Sequence, residues 1–329
     1  MSFADFDAGR REAFKRSLDI GNAGTVLLQT SISKAVQLVS NRQLGIQSTI
    51  PRKPGSGDGF YSVRRSPAAT GGSWVDDDEE IVSQEGDYTG GAGGGVKFGY
   101  KTLLGKIKVT RKLIAQGRSY GDVLATELVG KAEDFAQDLE TASAIGDTAT
   151  TPKSINGLIT LIGAVSTQIV ANTSAAGGDA LYLDKLDSAI QKVKGSSMKA
   201  NLRIYGSQLG HRLLNNALQA QQRFQNSVEI DAGFVVESYQ GIPIVESNGI
   251  PDVMTFNTTT GQPLAYSTGA TTALIVVNTQ YVFYSELTAT TVMPLAKKSS
   301  QYDEVDMFND IALVLDNPVG AAILCGLSG

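Results

Sequence analysis

The sequence has very few of the side chains on which metal binding and nucleophilic catalysis usually depend. Its 329 residues include one cysteine, Cys325, and one histidine, His211. A single cysteine excludes a disulfide within the chain and any zinc site built from several thiolates. Because Cys325 lies in the apolar run AAILCGL and His211 in the helical pattern SQLGHRLLNNAL, both are interpreted as structural residues. We therefore expect no enzyme, no cofactor and no metal centre.

Long apolar runs and an excess of positive charge are also missing. No stretch of about 18 apolar residues is available to span a bilayer. The N-terminus, MSFADFDAGRREAFKRSLD, lacks the apolar core of a signal peptide. With 28 basic and 33 acidic side chains, the net charge is −5 at pH 7, which argues against binding of nucleic acid over the whole protein surface. We expect a protein that is made in a cytoplasm and contacts no membrane.

Glycine, by contrast, is abundant, and many of the 36 glycines lie in a polar stretch between residues 44 and 110. Short strand patterns flank the polar middle of this stretch, at Leu44–Ile50, Gly59–Arg64 and Val96–Thr110. A globular domain rarely contains so long a polar segment. The segment is therefore either disordered or a two-stranded arm that lies on another surface, and the near-even spacing of lysines in its last strand favours the arm.

The longest regular pattern predicts one helix over Gly121–Gly146. Its apolar positions recur every three or four residues, at Leu124, Leu128, Ala132, Phe135, Leu139 and Ala142. The acidic residues, Glu140 among them, fall largely off this stripe. About 24 residues at roughly 1.5 Å each give a rod of about 36 Å. Such a rod needs a sheet to cover, and the strands within residues 290–315 are its predicted partner.

The remaining segments predict helices and strands on either side of this rod. Amphipathic helices are expected at residues 4–18, 30–42, 179–194 and 207–222. The last two belong to a compact α/β lobe, with turns at Asn248-Gly249 and Thr260-Gly261. The chain is expected to end in a buried strand.

Charge is segregated along the chain in three blocks. Residues 76–87 carry seven acids and no base, residues 96–118 seven bases and no acid, and residues 122–147 seven acids and one base. Each block is either a solvated surface or part of an arm that lies against an oppositely charged surface of a second subunit. The acids of the later strand, Asp303, Glu304 and Asp306, are expected to face solvent or a neighbour.

The second interpretation gives a set of candidate contacts between subunits. Trp74, alone in the polar arm, is either an anchor in a pocket of another subunit or packed within the arm. The acid run DDDEE can also bind a divalent cation, although it lacks the spacing of an EF-hand. The candidate contact residues are Trp74, Asp76, Asp77, Asp78, Glu79, Glu80, Lys97, Lys101, Lys106, Lys108, Arg111, Lys112, Asp134 and Asp138.

The order of these elements resembles that of tailed-bacteriophage major capsid proteins, which have the Hong Kong-ninety-seven-type fold. The closest stretch is KIKVTRKLIAQGRSYGDVLATELVGKAEDFAQDLETASAIGD, which is similar to the family's strand, short helix and long spine helix. Residues 51–105, with Trp74 at mid-length, resemble the extended E-loop. Further similar stretches are VLLQTSISKAVQLVSNRQLGIQSTIP, LRIYGSQLGHRLLNNAL, GFVVESYQGIPIVESNGI and MFNDIALVLDNPVGAAILCGL.

The resemblance implies an α+β fold with named parts. These are an N-terminal arm and entry helix (1-43), an E-loop hairpin with flanking strands (44-110), a P-domain (111-176) with its spine helix (121-146), an α/β A-domain (177-289), P-domain return strands (290-317) and a closing strand (318-329). It also implies a structural virion protein that self-assembles into pentamers and hexamers, in the host bacterial cytoplasm, to form an icosahedral capsid around double-stranded DNA.

The resemblance implies partners as well as a fold. The expected partners are copies of the chain itself, a portal, a decoration protein, and packaged DNA held by non-specific contact. Because Met1 stands close to the first arm helix, a separate scaffolding protein is also expected. Two alternatives stay open: an encapsulin-type nanocompartment shell with the same fold, and a metal- or sugar-binding surface module that uses the acidic, glycine-rich arm.

Overall fold

Helices and strands are mixed throughout the part of the chain that the structure covers. The computed structural model describes residues 44–66, 87–89, 96–117, 123–195, 197–220, 226–230, 234–258, 260–295 and 301–329. The mixture of helix and sheet in these ranges confirms the α+β class. The helices predicted at residues 4–18 and 30–42 lie outside the described residues.

One helix is much longer than the others in the described ranges. The helices are α1 (Gly45–Thr49), α2 (Arg111–Gly117), α3 (Val123–Ile145), α4 (Leu158–Gly163), α5 (Leu183–Lys192) and α6 (Gln208–Ala220). The 23 residues of α3 confirm the predicted long helix. The helices α5 and α6 confirm the two that were predicted in the α/β lobe.

The strands form two main sheets and three two-stranded ones. The first six strands are β1 (Arg52–Pro54), β2 (Gly59–Ser62), β3 (Arg64–Ser66), β4 (Asp87–Thr89), β5 (Val96–Gly99) and β6 (Lys101–Thr110). The others are β7 (Ile169–Ala171), β8 (Leu202–Gly206), β9 (Asn226–Ile230), β10 (Phe234–Tyr239), β11 (Ile242–Glu246), β12 (Thr255–Phe256), β13 (Pro263–Ala265), β14 (Thr272–Asn278), β15 (Val282–Pro294), β16 (Tyr302–Leu315) and β17 (Ala321–Leu327).

A four-stranded sheet in the order β1-β15-β16-β6 lies against α3. Phe135 of the helix lies over Gly105 of β6, where a Cβ atom would be 3.5 Å from its ring. The sheet and the helix share an apolar cluster made of Ile107, Val109, Val305, Leu124 and Leu128. Burying a side chain of this size contributes about 2 kcal/mol. The predicted pairing of the long helix with strands of residues 290–315 is therefore confirmed.

A seven-stranded sheet in the order β7-β17-β14-β8-β11-β10-β9 forms the second centre of the molecule. Its strands β14 and β17 are buried along their whole length. Helices α5 and α6 pack on one face and α4 on the other, which explains why both strands are continuous apolar runs instead of alternating ones. The expected terminal strand is confirmed as β17, and it lies between β7 and β14.

The strand predicted at Leu44–Ile50 is wrong, because this segment forms the short helix α1. A Cβ atom at Gly45 would lie 2.1 Å from the carbonyl oxygen of Glu246, so only glycine fits there. The next two amides donate to the carboxylate of Glu140 on α3. Contacts with distant residues therefore override the local strand pattern. The other two strand patterns of the polar stretch are confirmed as β2–β3 and β5–β6.

Candidate functional site

The described residues contain no group of three or more His, Cys, Asp or Glu side chains placed to hold a metal ion. His211 is half-buried on α6, and Cys325 is fully buried in β17. Burial raises the pKa of the Cys325 thiol, which keeps it in its unreactive protonated form. The same part of the chain contains no helix that could span a bilayer.

A hairpin extends from the four-stranded sheet and is fixed at its root by contacts within the chain. Its strand β2 pairs with β5, and β3 pairs with β4. Phe60 packs edge-to-face on Phe283, with 5.2 Å between ring centroids. The hydroxyl of Ser62 donates to Oδ1 of Asp316 at 2.6 Å. Arg64 donates to the carbonyl of Asp316 at 2.9 Å and to that of the preceding residue at 2.6 Å. These bonds set the direction in which the hairpin leaves.

The predicted contact residues fall into three groups by position. Arg111 and Lys112 are exposed at the start of α2, and Asp134 and Asp138 are exposed on α3. The four lysines lie on β5 and β6. The remaining residues lie outside the described ranges: Trp74, Asp76, Asp77, Asp78, Glu79 and Glu80.

Two of the lysines contact acceptors near the hairpin root. Lys97 forms an ion pair with Asp58, which raises the pKa of Lys97 and lowers that of Asp58. Lys101 donates to the backbone carbonyl of Pro152 at 2.7 Å. Both contacts lie at the surface, so they contribute little stability, but they show that these lysines have acceptors in their own chain.

The other two lysines meet the acidic strand β16. Nζ of Lys106 lies 2.9 Å from Oε2 of Glu304, which raises the pKa of Lys106. Nζ of Lys108 lies 3.7 Å from the centre of the Tyr302 ring. The side chain of Glu304 is only 9% exposed, so the expectation that it faces solvent or a neighbour is wrong for this residue. Within one chain, Lys106 and Lys108 of β6 therefore contact β16.

The outer side of α3 carries exposed acids beside an open groove. The groove has a volume of about 360 Å³ and lies at the C-terminal end of the helix, where Asp138, Ile145, Asp147 and Tyr266 line it. Asp134 and Asp138 are thus exposed at the surface of the subunit.

The contact that the sequence did not indicate is made by Glu140. It was placed off the apolar stripe, yet it is completely buried. Its carboxylate accepts from the amides of Ile46 and Gln47 at 2.8 and 3.0 Å and from the hydroxyl of Ser247 at 2.5 Å. Burial raises the pKa of Glu140, and the three donors oppose that shift. One signal was available: Glu140 is the one charged residue of the small-residue stretch Leu139–Ile145.

Comparison with solved structures defines the class of this fold. The chain is similar to the capsid protein of an empty GTA particle, with TM-score 0.66, 13% identity, and coverage of 95% of this chain and 99% of that chain. The capsid protein of cyanophage A-1(L) gives TM-score 0.66 and 11% identity over 93% and 98%. The holo-SrpI encapsulin of Synechococcus elongatus PCC 7942 gives 0.65 and 12% over 93% and 95%. The fold is thus that of shell-forming proteins.

Sequence comparison narrows this class to one family. The family model of the SU10 major capsid protein matches residues 106–328. The chain belongs to the SU10 major capsid protein family, and it is a structural protein of the tailed-phage capsid. A search of curated protein sequences finds no match.

Proposed function

We propose that copies of this chain form pentamers and hexamers, and that these tile an icosahedral shell around double-stranded DNA. The family match over residues 106–328 is the observation that carries the proposal. The hairpin supports it, because β3 and β4 pair only with each other among the described strands. A two-stranded hairpin is marginally stable alone and gains from packing on a further surface. A second copy of the chain supplies that surface.

The charge blocks supply a specific contact within this proposal. On β6, Leu104 is 60% exposed and shares a face with Lys106 and Lys108, which point away from α3. The acid run Asp76–Glu80, with the apolar Trp74 close by, is complementary in charge and polarity to this face. We expect the arm of one copy to lie on β6 of the next, with Lys97, Lys101, Arg111 and Lys112 at its margins. Such complementarity fixes register and speeds encounter more than it adds affinity.

Other partners follow from the same proposal. A separate scaffolding protein, a portal and a decoration protein complete the particle, which forms in the cytoplasm of a bacterial host. DNA contacts are non-specific, because the net charge of −5 offers no strongly basic inner surface overall. Packaged DNA then slides along the shell instead of binding tightly to it.

Sedimentation of the purified chain tests the assembly. We expect a boundary with a sedimentation coefficient far above that of the 34.7 kDa chain. The fraction of the protein in this boundary should grow with protein concentration. Nuclease treatment of particles from phage-producing cells should leave protected double-stranded DNA. A monomeric boundary that does not depend on concentration would favour the metal- or sugar-binding surface module instead.

An encapsulin-type nanocompartment is the second candidate, and the likeness to an encapsulin structure is the observation that favours it. The two candidates share the fold and differ in what the assembled particle contains. Particles that hold a cargo enzyme and no DNA would favour the encapsulin, whereas particles that hold DNA favour the capsid.

A further inference from the structure

The described part of the chain buries one carboxylate without a basic partner. Glu140 is 0% exposed, and none of the ion pairs between described residues includes it. Burying an ionised carboxylate is costly, and apolar side chains of similar volume often replace buried charges without loss of stability. A buried carboxylate near the C-terminal end of a packed helix therefore suggests that Glu140 has a role in positioning other elements beyond simple stabilisation.

Glu140 joins three elements that are far apart in sequence. It belongs to α3, two of its donors are the amides of the second and third residues of α1, and the third is the hydroxyl of Ser247 just after β11. The segment that follows β11 also packs closely on α3, since a Cβ atom at Gly249 would lie 2.6 Å from the carbonyl oxygen of Glu140. The carboxylate thus fixes α1 to the long helix and to the edge of the α/β lobe at once.

Side chains of α1 also contact the rest of the molecule. Ile46 is fully buried, and the side-chain amide of Gln47 donates to the carbonyl of Ala136 on α3. The hydroxyls of Thr49 and Tyr205 are 2.7 Å apart. A helix of five residues has almost no stability alone, so its position depends on these contacts, and Glu140 supplies two of the bonds to its backbone.

The helix α1 also connects residues 1–43 to β1 along the chain. Residues 1–43 precede it, and β1, which leads into the hairpin, begins at Arg52, three residues after its end. A rotation of α1 therefore moves the point at which residues 1–43 join the body, whereas the hairpin is held separately by the pairing of β1 with β15 and by Asp316. We propose that Glu140 is a positioning residue for assembly: it holds α1 and so fixes the point at which residues 1–43 join the body, without touching a second copy itself.

Glu140→Gln tests this directly and keeps the size of the side chain. Its amide nitrogen would face an N–H donor, so at least one bond to α1 is lost. We expect amide hydrogen exchange of residues 45–50 to become about tenfold faster at pH 7.5, while exchange in α3 and in the seven-stranded sheet stays as in wild type. The yield of closed, uniform shells should fall about tenfold or more. Glu127→Gln, at an exposed position of the same helix, is the matched control and should change neither readout.

Each outcome decides between positioning and simple stabilisation. Unchanged exchange at residues 45–50 would overturn the proposal, and so would faster exchange with uniform shells. Exchange that rises equally across the whole chain would mean that Glu140 only stabilises the fold. If Glu140→Gln does not fold, Ser247→Ala removes one donor and should give the same pattern more weakly. The expected loss of shells rests on the proposed function, whereas the expected change in hydrogen exchange does not. If the wild-type chain forms no shells, only the proposed function is contradicted.

Discussion

At the scale of single residues, Glu140 and Cys325 are both fully buried, but Glu140 lies among hydrogen-bond donors and Cys325 among apolar side chains. The carboxylate of Glu140 has three donors around it, and removal of any one leaves an unpaired polar group. Cys325 lies in an apolar strand between β7 and β14, where its thiol behaves as a small hydrophobic group. The two sites therefore respond differently to substitution.

Cys325→Ser should destabilise the chain by about 1–3 kcal/mol, because it places a hydroxyl without a partner in the core. Cys325→Ala removes only the sulphur and should cost less, about 1 kcal/mol. Urea unfolding of the unassembled chain, followed by circular dichroism, gives both values. A serine variant at least as stable as the alanine variant would mean that the hydroxyl finds a hydrogen-bond partner in this strand.

Glu140 also gives stability a defined dependence on pH. Because burial raises its pKa in the folded chain, the neutral form is favoured there relative to the unfolded chain. Its contribution is complete below the unfolded pKa of about 4.5 and is lost as the pH rises through the folded value. The free energy of unfolding of wild type should therefore fall, relative to that of Glu140→Gln, as the pH rises above about 4.5. Parallel pH profiles for the two proteins would contradict the raised pKa.

At the scale of elements, the two sides of α3 differ in character. One side covers the four-stranded sheet, and Asp134 and Asp138 are exposed on the helix. Lys106 and Lys108 of β6 contact β16 in the same chain. In the proposed assembly, a basic surface of a second copy lies against the acidic side of α3.

Charge reversal of Asp134 and Asp138 to Lys should weaken assembly more than folding. Exposed substitutions usually change stability by less than about 0.5 kcal/mol, whereas opposed like charges at an interface cost several kcal/mol. We expect the shell yield to fall about tenfold or more, with the melting temperature of the unassembled chain within a few degrees of wild type. Asp252→Lys, at an exposed position of the α/β lobe, serves as control. Equal losses of folding and assembly would mean that the two acids serve only their own subunit.

Periodic elements were predictable from the sequence, and tertiary contacts were not. The long helix follows from repeated apolar spacing, and the buried strand follows from the continuous apolar run AAILCGL. The helix α1 did not follow, because its amides bond to a residue about 94 positions away. The hairpin turn at Gln240-Gly241 has only part of the usual sequence signal, because Gln240 adopts a φ of 53°, which is more common for glycine or asparagine. Among the predicted site residues, charge was readable from the sequence, but the pairing of Lys106 with Glu304 depends on strand register.

At the scale of the whole molecule, the described residues form two sheet-centred cores, and the long helix contacts both. Leu139 of α3 packs with residues of both sheets in one apolar cluster, including Tyr284 and Ile323. The hairpin leaves this body at a position fixed by Asp316, and residues 1–43 join it at α1, which Glu140 holds. A body with its hairpin root and its first described helix held in place is suited to bind several copies of itself in a fixed geometry.

Cryo-electron microscopy of particles purified from phage-producing cells tests this account most directly. We predict a closed icosahedral shell of pentamers and hexamers of this chain, with the hairpin of each subunit lying on β6 of its neighbour and α1 held against Glu140. A shell of different symmetry, a hairpin folded back on its own subunit, or particles in which this chain is absent would contradict the account.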